Sequence, residues 1–255
     1  MKTFFKKSCK ISQKNGLLGL FFILSFSASA QYRKVQETYP TTRGMVRYRP
    51  MGVQMGFKLS PFISGNRLES RGNYNSFDNN GAVVRMSLGP IADIFFSEKY
   101  AFSTGLWYTV KGVHVRNSTS FLQDLTPPGT ATSSLYNLQY LQIPLTFKLL
   151  TNEVADRLRL FMQFGGVADI KLAEKAINAP INALYIYNES KNRSTRAFGF
   201  GDFNLLLAGG GEYALSGSDA LVFGISYQRG LINIYRDNDL SIKNNCFFLD
   251  LAYKF

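Results

Sequence analysis

Eight stretches of alternating apolar and polar residues, connections that run by turns short and long, and no apolar run after residue 30 long enough for a helical span together predict the fold class. It is all-β: an eight-stranded antiparallel up-and-down transmembrane β-barrel. Alternation carries the prediction because a strand sends successive side chains to opposite faces. A helical span would need about twenty apolar residues in a row.

The elements are taken in chain order. Lys2, Lys6, Lys7, Lys10 and Lys14 precede an apolar run from Gly16 to Phe26, and Ala28-Ser29-Ala30 offers small residues to a peptidase, so residues 1–30 read as a cleaved secretory signal peptide. That run is about half the length of a membrane helix, which disfavours a retained anchor. Cys9 lies before the run and leaves with the signal, so Cys246 is the only cysteine of the exported chain and no internal disulfide can form. Residues 31–50 show no alternation. They carry Arg33, Lys34, Arg43, Arg47 and Arg49 against Glu37 and read as a flexible basic periplasmic leader.

The barrel domain is expected over residues 51–255. Its first strand sets Val53, Met55, Phe57 and Leu59 against Gln54, Lys58 and Ser60, and its second sets Val84, Met86, Leu88, Ile94 and Phe96 against Arg85, Ser87 and Asp93. The third alternates Phe102, Leu106, Tyr108 and Val110 with Ser103, Thr109 and Lys111; the fourth, Leu141 to Leu149 with Gln142, Thr146 and Lys148. In the fifth, Leu158, Leu160, Met162 and Phe164 oppose Arg159 and Gln163, with Asp169 further along. In the sixth, Phe203, Leu205, Leu207 and Tyr213 oppose Asn204 and Glu212. Leu221 to Tyr227 and Phe247 to Phe255 supply the last two. Short links are expected at Ser97–Lys99, Thr151–Asp156 and Ser216–Asp219. Long ones are expected at Pro61–Gly81, Val115–Tyr136 and Leu172–Gly201, with a shorter fourth at Tyr235–Lys243. Short turns at one end, long solvated loops at the other and an even strand number would place both termini in the periplasm.

The same alternation suits a soluble sandwich or a lipocalin-like barrel with its apolar face turned inward. Strand length, the tyrosines Tyr100, Tyr108, Tyr140, Tyr213 and Tyr253 toward strand ends, and the small residues of the polar face favour the membrane. A mean hydropathy of −0.07 with 22 glycines and 15% aromatics is too polar for helical spans and fits a barrel. The net charge of +12 would ordinarily suggest nucleic acid as a partner, but an exported chain does not meet it.

Several segments resemble the PorT-like outer membrane β-barrel proteins of Bacteroidetes. They are Gly52-Val-Gln-Met-Gly-Phe-Lys-Leu-Ser60, Tyr140-Leu-Gln-Ile-Pro-Leu-Thr-Phe-Lys148, Gly209-Gly-Gly-Glu-Tyr213, Tyr227-Gln-Arg-Gly-Leu-Ile-Asn-Ile234 and Leu249-Asp-Leu-Ala-Tyr-Lys-Phe255. The resemblance implies the outer membrane as location, and the member that names the family belongs to a secretion apparatus. It also implies that the terminal Leu251, Tyr253 and Phe255 are read by the outer-membrane assembly machinery. Pro144, which lacks an N–H, should mark a bulge or an irregularity at the barrel rim.

The lumen-facing set holds Lys58, Arg85, Lys111, Lys148, Arg159, Lys171 and Lys254 with Asp93, Asp169, Glu212 and Asp250. Inside eight strands there is room for side chains and little else, so these charges should pair into a network that plugs the interior. The alternative is a small-solute pore favouring anions, since cations are in excess on this face. An enzyme reading rests on His114 followed by Ser118, Ser120 and Asp124, the residue types of acyl transfer, but serine-rich loops offer such a trio by chance. No enzyme is expected. One histidine and one thiol cannot build a zinc site, Asp237-Asn-Asp239 lacks the glycine and glutamate of a calcium loop, and no cofactor is expected. Lys191, Arg193 and Arg196 of the third loop could meet lipopolysaccharide phosphates or simply be solvated, while the leader's arginines could meet a periplasmic protein or the inner leaflet. The function expected is that of a structural or interaction component of the envelope, with a secretion complex as the setting the resemblance implies and with lipid, lipopolysaccharide and a periplasmic or secretion protein as partners.

Overall fold

The computed structural model describes residues 52–70, 77–117, 132–178, 184, 197–215, 219–236 and 239–255; residues 1–30, read as a signal peptide, and 31–50, read as a basic leader, lie outside the described residues. Ten strands form within them: β1 (Gly52–Ser70), β2 (Phe77–Asn79), β3 (Val83–Ser97), β4 (Tyr100–Gly105), β5 (Trp107–Asn117), β6 (Thr132–Ala155), β7 (Leu158–Asn178), β8 (Gly201–Ala214), β9 (Ala220–Gly230) and β10 (Leu240–Lys254). No described helix is long and apolar enough to cross a membrane.

Every main pairing is antiparallel between chain neighbours, and β1 pairs both with β3 (Leu59 opposite Leu88) and with β10 (Leu59 opposite Leu251), so the sheet closes on itself. β4 and β5 are one wall strand interrupted at Leu106, since both pair with β6 in one continuous register. Counting them once, the hydrogen-bonded ring has eight strands, and β2 adds a short flap on the end of β5. The interruption falls opposite Ile143-Pro144, where the proline has no N–H to give, and Leu106 turns its own N–H to the Pro90 carbonyl at 3.0 Å. The irregularity associated with Pro144 is therefore in mid-wall and not at the rim.

Which face points inward settles the choice between a membrane and a soluble barrel. Phe57 is 50% exposed, Val84 71% and Phe96 65%, and with Leu205, Leu207, Phe223, Ile225, Leu249 and Leu251 they cover the outer wall. Lys58, Lys111, Asp169 and Glu212 are buried within. A soluble barrel would have the opposite polarity. Transferring each large outer side chain into an apolar medium is worth roughly 1.5–3 kcal/mol, so this wall requires lipid. Aromatic rings also seal places where the wall has no side chain. Phe203 lies over Gly166 and Phe223 over Gly211, where an added Cβ would meet ring carbon at 2.6 Å in each case.

The strands run further than alternation indicated. β1 continues to Ser70, β6 begins at Thr132 and β7 extends to Asn178, so the ends of the three long connections assigned to loop are sheet. The physical reason is a change of phase. Below Leu141 the apolar residues face out, whereas above it Tyr136, Leu138 and Tyr140 face in and Asn137 and Gln139 face out. The adjacent apolar pair Tyr140-Leu141 marks the change. Tyr140 is accordingly wholly buried and is not part of an outer tyrosine girdle, unlike Tyr100, Tyr108, Tyr213 and Tyr253. Above this level the barrel has the polarity of a soluble one. Its interior is an apolar core in which Val113, Val115, Tyr136, Leu138, Ile242 and Leu240 pack with Phe198, Ile234, Tyr235 and Leu184 from the connections.

Closure rests on the chain terminus: Tyr253 lies opposite Phe57, Lys254 opposite Gly56, and the Phe255 N–H donates to the Met55 carbonyl at 2.9 Å. Deleting Tyr253–Phe255 strips the first residues of β1 of their β10 partners, and each unpaired backbone group in lipid costs several kcal/mol. The truncated chain is expected to be depleted from the outer-membrane fraction and to lose heat-modifiable migration on gels, while deleting Gln31–Arg47 leaves both intact. Normal insertion of the C-terminal truncation would show that the last three residues are dispensable for closure.

Candidate functional site

The charged side chains of the lumen are carried by strands whose inward positions are spaced two apart, so their heights follow from register. Toward the short-turn end, Lys148 of β6 and Lys254 of β10 face Asp93 of β3 and Glu212 of β8. The Lys148 Nζ lies 3.1 Å from Asp93 Oδ2 and 3.0 Å from Glu212 Oε2; the Lys254 Nζ lies 2.6 and 2.8 Å from the same atoms. Two cations and two carboxylates thus alternate around a closed, neutral ring. Ser103 donates to the other Asp93 oxygen at 2.5 Å. Four strands are tied across the lumen at one level.

Farther up, Lys111 of β5 donates to Asp169 Oδ2 of β7 at 2.6 Å and to Asn204 Oδ1 of β8 at 3.2 Å, with Asp202 Oδ2 at 3.6 Å. Asp169 also receives Asn204 Nδ2 (3.0 Å) and Gln142 Nε2 (2.8 Å), and Gln142 continues to Gln228 of β9 and Thr109 of β5. Asn244 of β10 donates to Asp202 at 2.9 Å. Side chains of six neighbouring strands therefore meet in mid-lumen, and Ser87 of β3 joins through Thr109 at 2.6 Å. Between the two levels Lys58 pairs with Asp250 at 2.9 Å, with its ammonium 4.0 Å from the centre of the Trp107 ring. The Lys111 ammonium lies 5.4 Å from the centre of the Tyr140 ring, at the base of the apolar core above.

The structure does not bring every expected lumen charge into these layers. Arg85 donates to Asn137 Oδ1 at 2.6 Å and to the Val84 carbonyl at 2.9 Å, near the upper rim. Arg159 gives its guanidinium to the Thr151 and Glu98 carbonyls and so ties down two short turns. Lys171 pairs with Glu174 and reaches the Phe198 carbonyl under the upper core. Asp202, Asn244 and Gln228 were not expected as partners. Asp202 shares the inward period of Asn204, and that spacing could have found it had the sixth strand been started one residue earlier. With Asp202 and Glu174 included, most of the cationic excess of the lumen disappears.

His114 is on the outer face of β5, where Asn80 Nδ2 lies 2.8 Å from its Nε2 and the Asn80 N–H donates to its carbonyl at 3.0 Å. Ser118, Ser120 and Asp124 lie outside the described residues, as do Lys191, Arg193, Arg196 and Asp237. Among the described residues no group of three or more His, Cys, Asp or Glu side chains could hold a metal ion.

Removing one carboxylate from the lower ring leaves two lysines facing Asp93 alone. Glu212→Gln is expected to destabilise the barrel by about 3–5 kcal/mol, the cost of an uncompensated buried charge. Pairing it with Lys254→Met should recover most of that loss in a double-mutant cycle. Urea unfolding in lipid bilayers, followed by tryptophan fluorescence at the single Trp107, reads both; additive losses in the double variant would show that the ring is not a coupled unit.

The family model described as outer membrane protein beta-barrel domain matches residues 29–236. Comparison with curated proteins yields no match. Among solved structures, the chain is similar to the outer membrane protein OprG from Pseudomonas aeruginosa at 10% identity, covering 82% of this chain and 99% of that one with a TM-score of 0.48. Neisserial surface protein A matches at 11% identity over 78% and 97% with a TM-score of 0.40. Ail, the attachment invasion locus protein of Yersinia pestis, matches at 11% over 80% and 100% with a TM-score of 0.38. With an apolar outer wall, a closed eight-strand ring and a family model that covers most of its length, the chain belongs to the outer membrane protein β-barrel domain family of bacterial outer membranes.

Proposed function

We propose that this barrel is a non-catalytic, non-conducting component of the envelope that works through the surfaces it displays; the resemblance to the PorT-like family, whose naming member belongs to a secretion apparatus, supports a secretion complex as its setting. The observation that carries this reading is the filled lumen. A solute crossing it would have to break the lower ring of Asp93, Lys148, Glu212 and Lys254, the mid-lumen cluster around Lys111 and Asp169, and then the apolar core at Tyr136, Phe198 and Tyr235. Buried polar networks that are satisfied on several sides resist such opening, because each broken partner leaves a desolvated charge. In this reading the long-connection end faces outward and both termini face the periplasm, where the basic leader meets a protein partner or the inner leaflet.

The test is single-channel recording of the reconstituted full-length protein, which is expected to show no steady conductance. A reproducible unitary current would replace the scaffold reading with a pore. Orientation is read separately with Asp78→Cys. The wild-type Cys246 is buried, so a membrane-impermeant maleimide should label only the introduced thiol, and only if the upper end is external.

A further inference from the structure

Where β1, β10 and β9 leave the apolar band, the outer wall carries a shallow depression of about 150 Å³ lined by Arg67, Leu205, Arg229, Leu231, Lys243 and Asn245. Three cations and no carboxylate line it. Arg67 and Lys243 are direct cross-strand partners, and Arg229 faces Asn245, two residues from Lys243. Direct partners on one face sit about 5 Å apart at Cβ and diagonal ones about 7–8 Å, and like charges at that range repel. Glu69 answers Arg67 at 2.7 Å, but both side chains are about half exposed, and such a pair contributes little. Arg229 and Lys243 have no carboxylate partner among the described residues. A wall that places three cations side by side is incomplete without an anion.

Its position selects the anion. Directly below lie Ile63, Phe247 and Tyr227 of the lipid-facing band, and Leu205 stands beside Arg229, so a ligand whose chains lie along that band presents its headgroup to the three cations. We propose that this face binds the phosphate groups of an outer-leaflet glycolipid, the phosphorylated disaccharide of lipopolysaccharide. The two guanidinium groups grip phosphate oxygens in a fork, Lys243 adds a point charge and Asn245 a neutral donor. The site is separate from the third-loop residues Lys191, Arg193 and Arg196. It rests on the reading that this end of the barrel is external, because the inner leaflet does not hold that lipid.

The full-length protein, refolded without lipopolysaccharide, is placed in phosphatidylcholine nanodiscs containing either bisphosphorylated or dephosphorylated lipid A, and retained lipid A is counted by native mass spectrometry. Wild type should retain the bisphosphorylated form about tenfold more than the triple variant R67Q/R229Q/K243Q, as the loss of three charge-assisted contacts implies. Arg116→Gln, an exposed cation on β5, should leave retention unchanged. Lys243→Gln alone should lower retention severalfold and serves if the triple variant does not fold. Equal retention by wild type and variants, equal retention of dephosphorylated lipid A, or an equal loss with Arg116→Gln would overturn the assignment. Displacement by excess inorganic phosphate would show a free-anion site instead of a lipid site. Failure of the Asp78→Cys label in intact cells would remove the lipid from reach of this face, an outcome distinct from failure to bind in nanodiscs.

Discussion

Lipid cannot hydrogen-bond to a peptide group, and most of what this chain does follows from that constraint. Every N–H and C=O at membrane depth must find another strand, so the sheet has to close, and closing it takes β10 back to β1. Opposite Pro144, where the wall cannot pair, a break at Leu106 deals with the gap locally, its N–H finding the Pro90 carbonyl. Ser64 and Asn66 do similar service higher up. Both donate to the Gly112 carbonyl, and Gly112 returns its N–H to Ser64, where β3 and β5 have parted.

Closing eight strands leaves an interior only as wide as the side chains that fill it. Because the outer wall takes the apolar residues, the inner wall receives the polar ones, and they pair largely with one another, although Asp202 Oδ1, Glu212 Oε1, Gln228 Nε2 and Asn244 Oδ1 have no hydrogen-bond partner among the described residues. The result is layered. A neutral ring of two lysines and two carboxylates, a cation–π contact at Lys58 and a cluster centred on Lys111 follow in order, and above them the lumen turns apolar. Each layer joins strands far apart in sequence, Asp93 with Glu212 and Lys254 for example, so the lumen network reinforces the closure that lipid demands.

The inversion of polarity above Tyr140 divides the molecule into a membrane barrel and a water-facing extension built from the same strands. At the boundary, outward positions pass from Ile63, Phe247 and Tyr227 to Arg67, Lys243 and Arg229 within one or two inward–outward repeats. The wall concentrates cations at this level.

Much of this was legible in the residues. Period two marked all eight wall strands, because a strand has no other way to present one face to lipid and another to its neighbours, and the lumen positions of Lys58, Asp93, Lys148 and Glu212 followed from the same count. The strand ends were not legible. Alternation reports a difference between two faces, and when Leu138-Gln139-Tyr140-Leu141 exchanged which face was apolar, the pattern looked like a loop although the backbone ran on as sheet. Sequence by itself determined that the chain is all-β, which positions share a face and that the strands number eight. Only the tertiary structure decided which face points inward, which charge meets which and where the lumen turns apolar, because those depend on register and on contacts between residues up to about two hundred positions apart, which no local period records.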